Sequence, residues 1–489
     1  MLGELGEADI VNTGMQDFRG LAADSREVKP GFLFAALPGT KTDGRKFIED
    51  AVRRGAAVVL GGPEAAGEAR RLGVRFIAAE NPRKRLSEMA AAFYGAQPAV
   101  VAAVTGTNGK TSVAAFLRQI WTHQGRPAAS LGTIGIDAPG GHVSLGHTTP
   151  DPVRLHAELA RLKREGVDHL AIEASSHGLD QFRLDGVKIA AAGFTNITRD
   201  HLDYHASFEN YLAAKLRLFR ELVADGGAAV VNADAGYAED FAAVARARNL
   251  RLITVGVRGD DLRLIEQLPH ADGQEITVRH EGREHRIAMP LAGLFQASNA
   301  LVAAGLALGV GDPAEKVFAA LEMLKGAPGR LDLVARTQQG AAIYVDYAHT
   351  PDAIETVLAA LRPHVSGKLH ILFGCGGDRD RGKRPLMASA AARHADVVIV
   401  TDDNPRSEDP AVIRREALAG APDAREIAGR AFAIREAIAD LRADDALVIA
   451  GKGHEDYQIV GGETHHFSDR EEAVKAARAL GGAAESEAA

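Results

Sequence analysis

"VVAAVTGTNGKTSVAAFLRQIWTHQG", residues 100–125, reads as a buried strand, a glycine-containing turn and an amphipathic helix. Val113, Phe116, Leu117, Ile120 and Trp121 recur at the i, i+3, i+4, i+7 and i+8 spacing of a helix with one apolar side. Gly125 and Pro127 end it. Between strand and helix, Gly106 and Gly109 leave backbone N–H groups free to surround phosphate oxygens, Lys110 brings a point charge, and Thr111 can place a hydroxyl on Mg²⁺. Strand, loop and helix in this order point to a nucleoside triphosphate site. The pattern G-x-x-x-x-G-K-[ST] is incomplete, because Val104 stands where its first glycine would be. A glycine-rich turn with an exposed lysine is the plainer reading of the same residues.

Working outward, apolar runs and amphipathic patterns alternate along the whole chain, the signature of an α/β fold with mainly parallel sheets covered on both faces. Residues 1–97 hold short runs such as "GFLFAAL" and "AAVVLGG" and close on the turn "GAQP". Residues 98–330 form a larger block around the phosphate loop, ending at "GAPGR", 326–330. Residues 331–489 alternate again through "AAIYVDY", "LHILFG", "DVVIVTD" and "DALVIAG", and a capping box from Ser468 to Glu471 announces the last helix. Three domains are expected: a smaller N-terminal α/β domain, a central P-loop-type domain and a Rossmann-like C-terminal domain. A length of 489 residues agrees with that number.

Composition excludes several classes. Hydrophobic residues are 46% and charged residues 25%, near globular averages. The longest apolar stretch, around Leu301 to Val310, falls short of the roughly 18 residues of a spanning helix, and the acidic N-terminus is no signal peptide. A cytoplasmic monomer with no membrane insertion is expected. The single cysteine, Cys375, excludes an intrachain disulfide and a Cys-cluster metal site, so a metal would be held by oxygen or imidazole. A net charge of −8 argues against a general nucleic-acid binder.

"SFENYLAAKLRLFREL", 207–222, carries an apolar stripe of Phe208, Tyr211, Leu212, Leu216, Phe219 and Leu222, and Lys215 lies inside it. A lysine so placed snorkels to water, finds an anion or loses its proton. A neutral amine can also capture CO₂ as a carbamate, turning a buried base into an acidic metal ligand. Glu173, at the end of "HLAIE", and His201, in "TNITRDHLDYH", fall where the ends of parallel strands gather ligands. With them, one or two Mg²⁺ ions are expected.

The chain resembles the Mur ligase family, ATP-dependent enzymes that add amino acids to the peptide of bacterial cell-wall precursors. The resemblance rests on motifs in order along nearly the whole chain: "DSR" at 24–26, "TGTNGKT" at 105–111, "TTP" at 148–150, "EASSHGLDQFR" at 173–183, "TRDHLDYH" at 198–205, Lys215, "FQASNA" at 295–300, "PGR" at 328–330, "DYAHTPD" at 346–352, "GCGGDRDRGKRP" at 374–385, "DDNPR" at 402–406 and "GKGHE" at 451–455. It implies addition of meso-2,6-diaminopimelate to the D-glutamate of UDP-N-acetylmuramoyl-L-alanyl-D-glutamate, with ATP as substrate and Mg²⁺ as cofactor. By position it assigns Ser25, Thr40, Lys41 and Thr42 to the uridine end, with the loop 40–42 departing from the usual pattern. Thr148, Thr149, Ser175, Gln181 and Arg183 go to the muramoyl dipeptide and its phosphates. Thr105, Gly106, Thr107, Asn108, Gly109, Lys110 and Thr111 cradle ATP, and Asn299, Arg330, Asp346 and His349 place its base, ribose or terminal phosphate. Thr111, Glu173, His201 and a carbamate on Lys215 position Mg²⁺, these last three joining Lys110 as the catalytic set. Asp403, Asn404, Pro405 and Arg406, completed by Arg379, Gly451 and Glu455, bind diaminopimelate.

The chemistry of "DNPR" fits that role. Arg406 can grip a carboxylate with two parallel N–H bonds, Asp403 and Asn404 can accept from an ammonium, and Pro405 fixes the turn. Diaminopimelate has both groups at its far end; lysine lacks the carboxylate. A solvated Asx and Pro turn capping the helix after Pro410 is the plainer reading. The base that deprotonates the attacking amine stays open between His349 and Glu455. A folate polyglutamate synthase would share the ATP site but lack DNPR, a nucleotide-binding scaffold would have lost Lys110, Glu173, His201 and Lys215, and a P-loop switch would turn over nucleotide without an amino acid.

Overall fold

The computed structural model describes residues 18–39 and 42–485. They fall into two compact units: the described parts of Met1–Lys110, Gly125–Val230 and Gly236–Leu252, and then Thr111–Gln124, Val231–Ala235 and the described part of Ile253–Ala489. Among the described residues, no helix is long and apolar enough to cross a membrane.

The first unit begins with four parallel strands, Gly20–Ala22, Phe32–Ala36, Val58–Gly61 and Arg75–Ala78, side by side in chain order. Successive side chains of a strand point to opposite faces. Leu33 and Ala35 therefore join Leu86, Met89 and Ala90 of the helix Pro82–Tyr94 on one side, while Phe34 and Ala36 join Ile48, Ala51 and Ala65 on the other. That helix starts where the Asn81 side chain accepts from Lys84 N at 3.0 Å, with Pro82 in its first turn, and stops at Gly95, φ 70°. Proline costs nothing where an N–H would be unpaired anyway, and glycine takes the left-handed turn cheaply.

Beyond it, Val100–Thr105 lies between His169–Glu173 and Ile189–Phe194, all parallel, with Ala128–Gly132 on the far side of His169–Glu173. Strands covered on both faces carry near-continuous apolar runs, which is how these read. Val104 stands opposite Glu173 and Thr105 opposite Phe194. Three loops thus leave neighbouring strand ends together, where open parallel sheets bind ligands.

The second unit contains an antiparallel meander, Leu262–His270, Gly273–His280 and Arg283–Met289, which alternation of strands with helices does not foretell. Its C-terminal sheet is Rossmann-like: five parallel strands in spatial order Arg425–Glu426, Val397–Asp402, Leu369–Cys375, Ala446–Ala450 and Ala342–Asp346, followed by Asp332–Arg336, antiparallel to its neighbour, and the short Ala483–Ala484 at the edge. Ile371, Phe373 and Val448 pack with Ile354, Leu358 and Met387 on one face; Leu372, Ile449 and Ile343 pack with Ile434 and Ala473 on the other. Cys375 is buried in the first of these layers, and burial pushes its thiol up to about 12. Cys375 pairs with Asp402, and Ala450 with both Phe373 and Asp346, so these four strands end within two residues of one another and their loops gather. The last helix, Asp469–Ala479, is capped by Ser468, which accepts from Glu471 N at 3.4 Å. Only half of the expected capping box forms, because the Glu471 carboxylate pairs with His466 at 2.8 Å.

A buried ion pair ties this sheet together. Arg430 and Asp469 have fully buried side chains joined by two bonds of 2.6 Å, and Arg430 also donates to the carbonyls of Ala450 at 2.9 Å and Asp402 at 3.2 Å. Asp469→Ala would leave the guanidinium without its anion in a dry interior. A loss of about 3–5 kcal/mol is expected, read as a lower urea midpoint at unchanged slope.

Candidate active site

In the first unit the loop after Val100–Thr105 is laced in place by the loop after Ile189–Phe194. Thr107 N donates to Asn196 O at 2.9 Å, Asn108 N to Asn196 Oδ1 at 3.0 Å, and Thr195 Oγ1 to Asn108 O at 2.6 Å. Gly106 has φ +155°, and a Cβ there would come within 1.9 Å of Thr195 Oγ1, so only glycine fits. The Lys110 ammonium donates to the carbonyls of Gly106 at 2.9 Å and Thr107 at 2.8 Å. Thr111 follows in the first turn of the helix Lys110–His123, and all five residues of its expected apolar face are buried.

Lys215 does not snorkel. It is 1% exposed, its Nζ donates to Gly106 O at 2.7 Å, and it lies 4.5 Å from the centre of the Tyr211 ring. Burial, and then the charge of Lys110, push this amine well below the usual lysine range. Its helix, Phe208–Arg217, also buries Arg217, which the apolar stripe had placed outside; Arg217 reaches Asp185 at 2.5 Å and Leu179 O at 2.9 Å.

Glu173, 1% exposed, accepts from Thr133 N at 2.8 Å and Thr133 Oγ1 at 3.1 Å, and Thr133 Oγ1 lies 3.0 Å from Thr148 Oγ1. Thr149 Oγ1 donates to Glu173 O at 3.0 Å and lies 3.0 Å from Ser175 Oγ, which caps the helix Ser176–Asp180 by accepting from Gly178 N. Arg183 donates to Thr149 O at 2.5 Å and to Gln181 Oε1 at 2.8 Å; Gln181 donates to Tyr204 Oη at 3.0 Å. The structure thus joins Thr148, Thr149, Ser175, Gln181 and Arg183 in one network beside Glu173. Ser25 sits apart on the four-stranded sheet, in the turn Ser25–Glu27. Thr42 is exposed, and Thr40 and Lys41 lie outside the described residues.

His201, φ +52°, has a half-exposed side chain near Asp200 and rings with centres 4.9 Å from His177 and 6.2 Å from Tyr211. His177, Tyr204 and His205 cluster here too, and sequence reading did not single them out. Burial, then the charges of His201 and His205, hold His177 down at about 4. Burial likewise lowers His201, with Asp200 opposing.

Among the described residues no three His, Cys, Asp or Glu side chains are grouped to hold a metal ion. The donor set nonetheless suits Mg²⁺, a hard ion that takes one or two carboxylates and completes its shell with substrate phosphates and water. Glu173 supplies a fixed carboxylate next to the phosphate loop, and Lys215 is an amine poised for the neutral form that carbamate chemistry requires.

In the second unit, Asn299 Nδ2 donates to Gln296 Oε1 at 3.1 Å, and Gln296 Nε2 to Arg330 O at 3.3 Å. The Arg330 guanidinium lies 4.6 Å from the Tyr347 ring centre, and Tyr347 meets His349 at 4.6 Å between ring centres. Asp346 uses both oxygens on backbone, accepting from Leu331 N at 2.6 Å and Ala348 N at 2.7 Å. Its carboxyl is raised by burial, with Arg330 opposing. Asn299, Arg330, Asp346 and His349 are brought together, Asp346 as the brace of two turns.

The loop 403–406 packs against the loops 376–382 and 451–455. Arg406 takes φ +52°; its N–H donates to Ile459 O at 3.0 Å, and its Nη1 to Gly377 O at 2.9 Å and Asn404 O at 3.4 Å. Among the described residues its charge meets carbonyls and no carboxylate ion pair. Asn404 Oδ1, expected to await an ammonium, already accepts from Ile459 N at 2.9 Å and Lys452 Nζ at 3.2 Å, while its Nδ2 donates to Glu455 Oε2 at 3.4 Å. Asp403 Oδ1 accepts from Asn404 N at 2.6 Å. A Cβ on Gly451 would lie 2.9 Å from Asp403 Oδ2, and one on Gly377 1.9 Å from Pro405 O, so both close approaches need glycine. Arg379 is exposed nearby in sequence on the loop 376–382. Asp402 instead ties down Arg414 and Gly429 N, and Asp409 caps the helix Pro410–Leu418. The cap and the loop 403–406 thus come from different residues of one stretch.

Family models match three segments: "Mur ligase family, catalytic domain" at residues 17–94, "Mur ligase middle domain" at 104–307 and "Mur ligase, glutamate ligase domain" at 329–453. The chain is 55% identical to the UDP-N-acetylmuramoyl-L-alanyl-D-glutamate–2,6-diaminopimelate ligase of Bradyrhizobium diazoefficiens, covering 94% of each chain. It is 55% identical to the enzyme of that name from Caulobacter vibrioides, over 94% of this chain and 95% of that one. A solved structure of a ligase of that name superposes with a TM-score of 0.71 at 35% identity, covering 95% of each chain.

Proposed function

The chain belongs to the Mur ligase family and works as a ligase that adds 2,6-diaminopimelate to UDP-N-acetylmuramoyl-L-alanyl-D-glutamate; we propose the following division of labour among its residues. Residues 1–97 take the uridine end, through Ser25 and the segment 40–42. Residues 98–330 take ATP and the muramoyl dipeptide, and residues 331–489 the amino acid. The loop Thr105–Thr111 cradles the phosphates of ATP, and Asn299, Arg330, Asp346 and His349 bind its remaining parts. Thr148, Thr149, Ser175, Gln181 and Arg183 orient the dipeptide, whose D-glutamate side-chain carboxylate attacks the γ-phosphorus of ATP. ADP leaves, and an acyl phosphate forms. The amine of meso-diaminopimelate then displaces phosphate from the acyl carbon, losing a proton to His349 or Glu455 as the amide forms. Activation is needed because a carboxylate oxygen is a poor leaving group.

Thr111, Glu173, His201 and a carbamate on Lys215 hold Mg²⁺, which when bound neutralises charge on the transferring phosphoryl group. Lys110 adds its own positive charge there, and catalysis is alignment and electrostatics, with no side chain covalently attached to substrate. The enzyme acts as a cytoplasmic monomer on small molecules.

The observation that carries the choice of amino acid is Arg406, whose guanidinium donates to the carbonyls of Gly377 and Asn404 and, among the described residues, forms no ion pair, beside Asp403, Asn404 and Glu455. A molecule with carboxylate and ammonium at its far end complements that set. Phosphate release with ATP and the muramoyl dipeptide tests it. Release is expected to require diaminopimelate, with lysine lower by about 100-fold or more in kcat/KM, because a site built for a polar group rejects the analogue lacking it. Equal turnover with lysine would refute the assignment.

A further inference from the structure

We propose that Lys452, buried beneath the loop 403–406, is a positioning residue that sets selection of the incoming amino acid by fixing Asn404 and Glu455. The proposal rests on the assignment of that loop to diaminopimelate. Lys452 lies in "GKGHE", where a lysine between two glycines reads as a solvated side chain, yet its side chain is fully buried. Nζ donates to Asn404 Oδ1 at 3.2 Å, stands 3.8 Å from Glu455 Oε2, and lies 5.5 Å from the centre of the Tyr457 ring.

An asparagine amide has an accepting end and a donating end. The Lys452 ammonium and the Ile459 N–H both require the accepting end, so the donating end turns to Glu455 Oε2 at 3.4 Å. Both the ammonium and the amide therefore address one carboxylate oxygen of Glu455, with the Tyr457 hydroxyl a further hydrogen-bond partner, and hold the carboxylate in place to meet an ammonium of the amino acid. A buried cation is expensive unless paired, and this one is placed where its pairing orients two groups of the pocket.

Lys452 also guards the charge of Glu455. Burial raises the Glu455 carboxyl, and Lys452 is the leading group that opposes the rise. The other charged or titratable groups facing Glu455 are Asp403, Arg406, Arg430, Tyr347 and Tyr457. Of these, Asp403 works in the same direction as burial. Without Lys452, Glu455 would hold a proton to higher pH and lose its attraction for an ammonium.

The test is steady-state kinetics of the full chain with Lys452→Met, which keeps volume and removes charge. The KM for diaminopimelate is expected to rise about 10- to 100-fold, the range for a lost hydrogen bond to a charged group. The KM values for ATP and the muramoyl dipeptide should stay within about twofold. The acid limb of kcat/KM for diaminopimelate should move to higher pH. Lys452→Gln, which keeps a donor but drops the charge, carries the same prediction for the acid limb should the methionine variant fail to fold. An unmoved KM and acid limb overturn the proposal, and so does an equal loss for all three substrates. Arg406→Ala measured alongside separates the causes. If it also leaves the diaminopimelate KM unmoved, the loop is not the amino-acid site and both readings fall. If it raises that KM while the Lys452 variants do not, only the lysine's role falls.

Discussion

Lys215→Ala is expected to lower kcat/KM about 10²- to 10³-fold, the size of effect seen when a preorganised electrostatic group at a reacting centre is removed. Lys215 and Lys110 both donate to Gly106 O, at 2.7 and 2.9 Å, and that shared oxygen holds two nitrogens that repel each other when charged. Burial and repulsion together favour the neutral amine of Lys215. A neutral amine adds to CO₂ and releases a proton, giving a carbamate that offers two oxygens where the chain otherwise has an amine. Alanine removes it and leaves a small cavity beside the phosphate loop. Acetate or propionate should enter that cavity and restore part of the activity saturably. Full activity in the variant would remove Lys215 from the metal set; rescue by short amines and not by carboxylates would show that it works as an amine.

Arg406→Ala is expected to cost about 3–5 kcal/mol in diaminopimelate recognition, a drop of about 10²- to 4 × 10³-fold in its kcat/KM. The comparison is clean in backbone terms, because Arg406 sits at φ +52° and alanine bears the same left-handed penalty as arginine. Its N–H bond to Ile459 O at 3.0 Å also survives the change. What disappears is the fork that pairs with a carboxylate. Selectivity should collapse along with efficiency, since lysine, which lacks that carboxylate, loses little. Arg406→Lys should fall between, keeping charge without the planar two-bond geometry. Equal losses in the KM for ATP and for diaminopimelate would mean that the loop shapes the sheet rather than the pocket.

Legibility in the sequence tracked how local each interaction is. The phosphate loop was readable because its strand, glycines, lysine and helix are consecutive, and all five residues of the predicted helix face are buried. Lys215 was readable as an anomaly in its stripe, but its outcome was not, since the partner, Gly106 O, lies 109 residues away. The same distance problem hid the grouping of His177 with His205 and Tyr204, whose rings meet only once two helices dock. Arg217 lies off the apolar stripe of 207–222 and is buried all the same, because its partner Asp185 lies 32 residues upstream. Nothing local in "GKGHE" signals that the Lys452 side chain runs inward, since its partner Asn404 lies 48 residues away. The meander after Leu262 was missed for a different reason: its alternation is visible, but a block of alternating strands and helices sets a parallel expectation that hairpins interrupt.

The adjacent strand ends of the C-terminal sheet bear on how this enzyme can change over generations. Cys375, Asp402, Ala450 and Asp346 end strands whose pairing is backbone and whose packing is aliphatic, whereas the groups proposed to bind the amino acid hang on the connections that follow. Recognition and scaffold are thus coded by separate letters. A lineage with a different cell-wall diamine can rewrite a handful of connection residues and inherit the sheet unaltered.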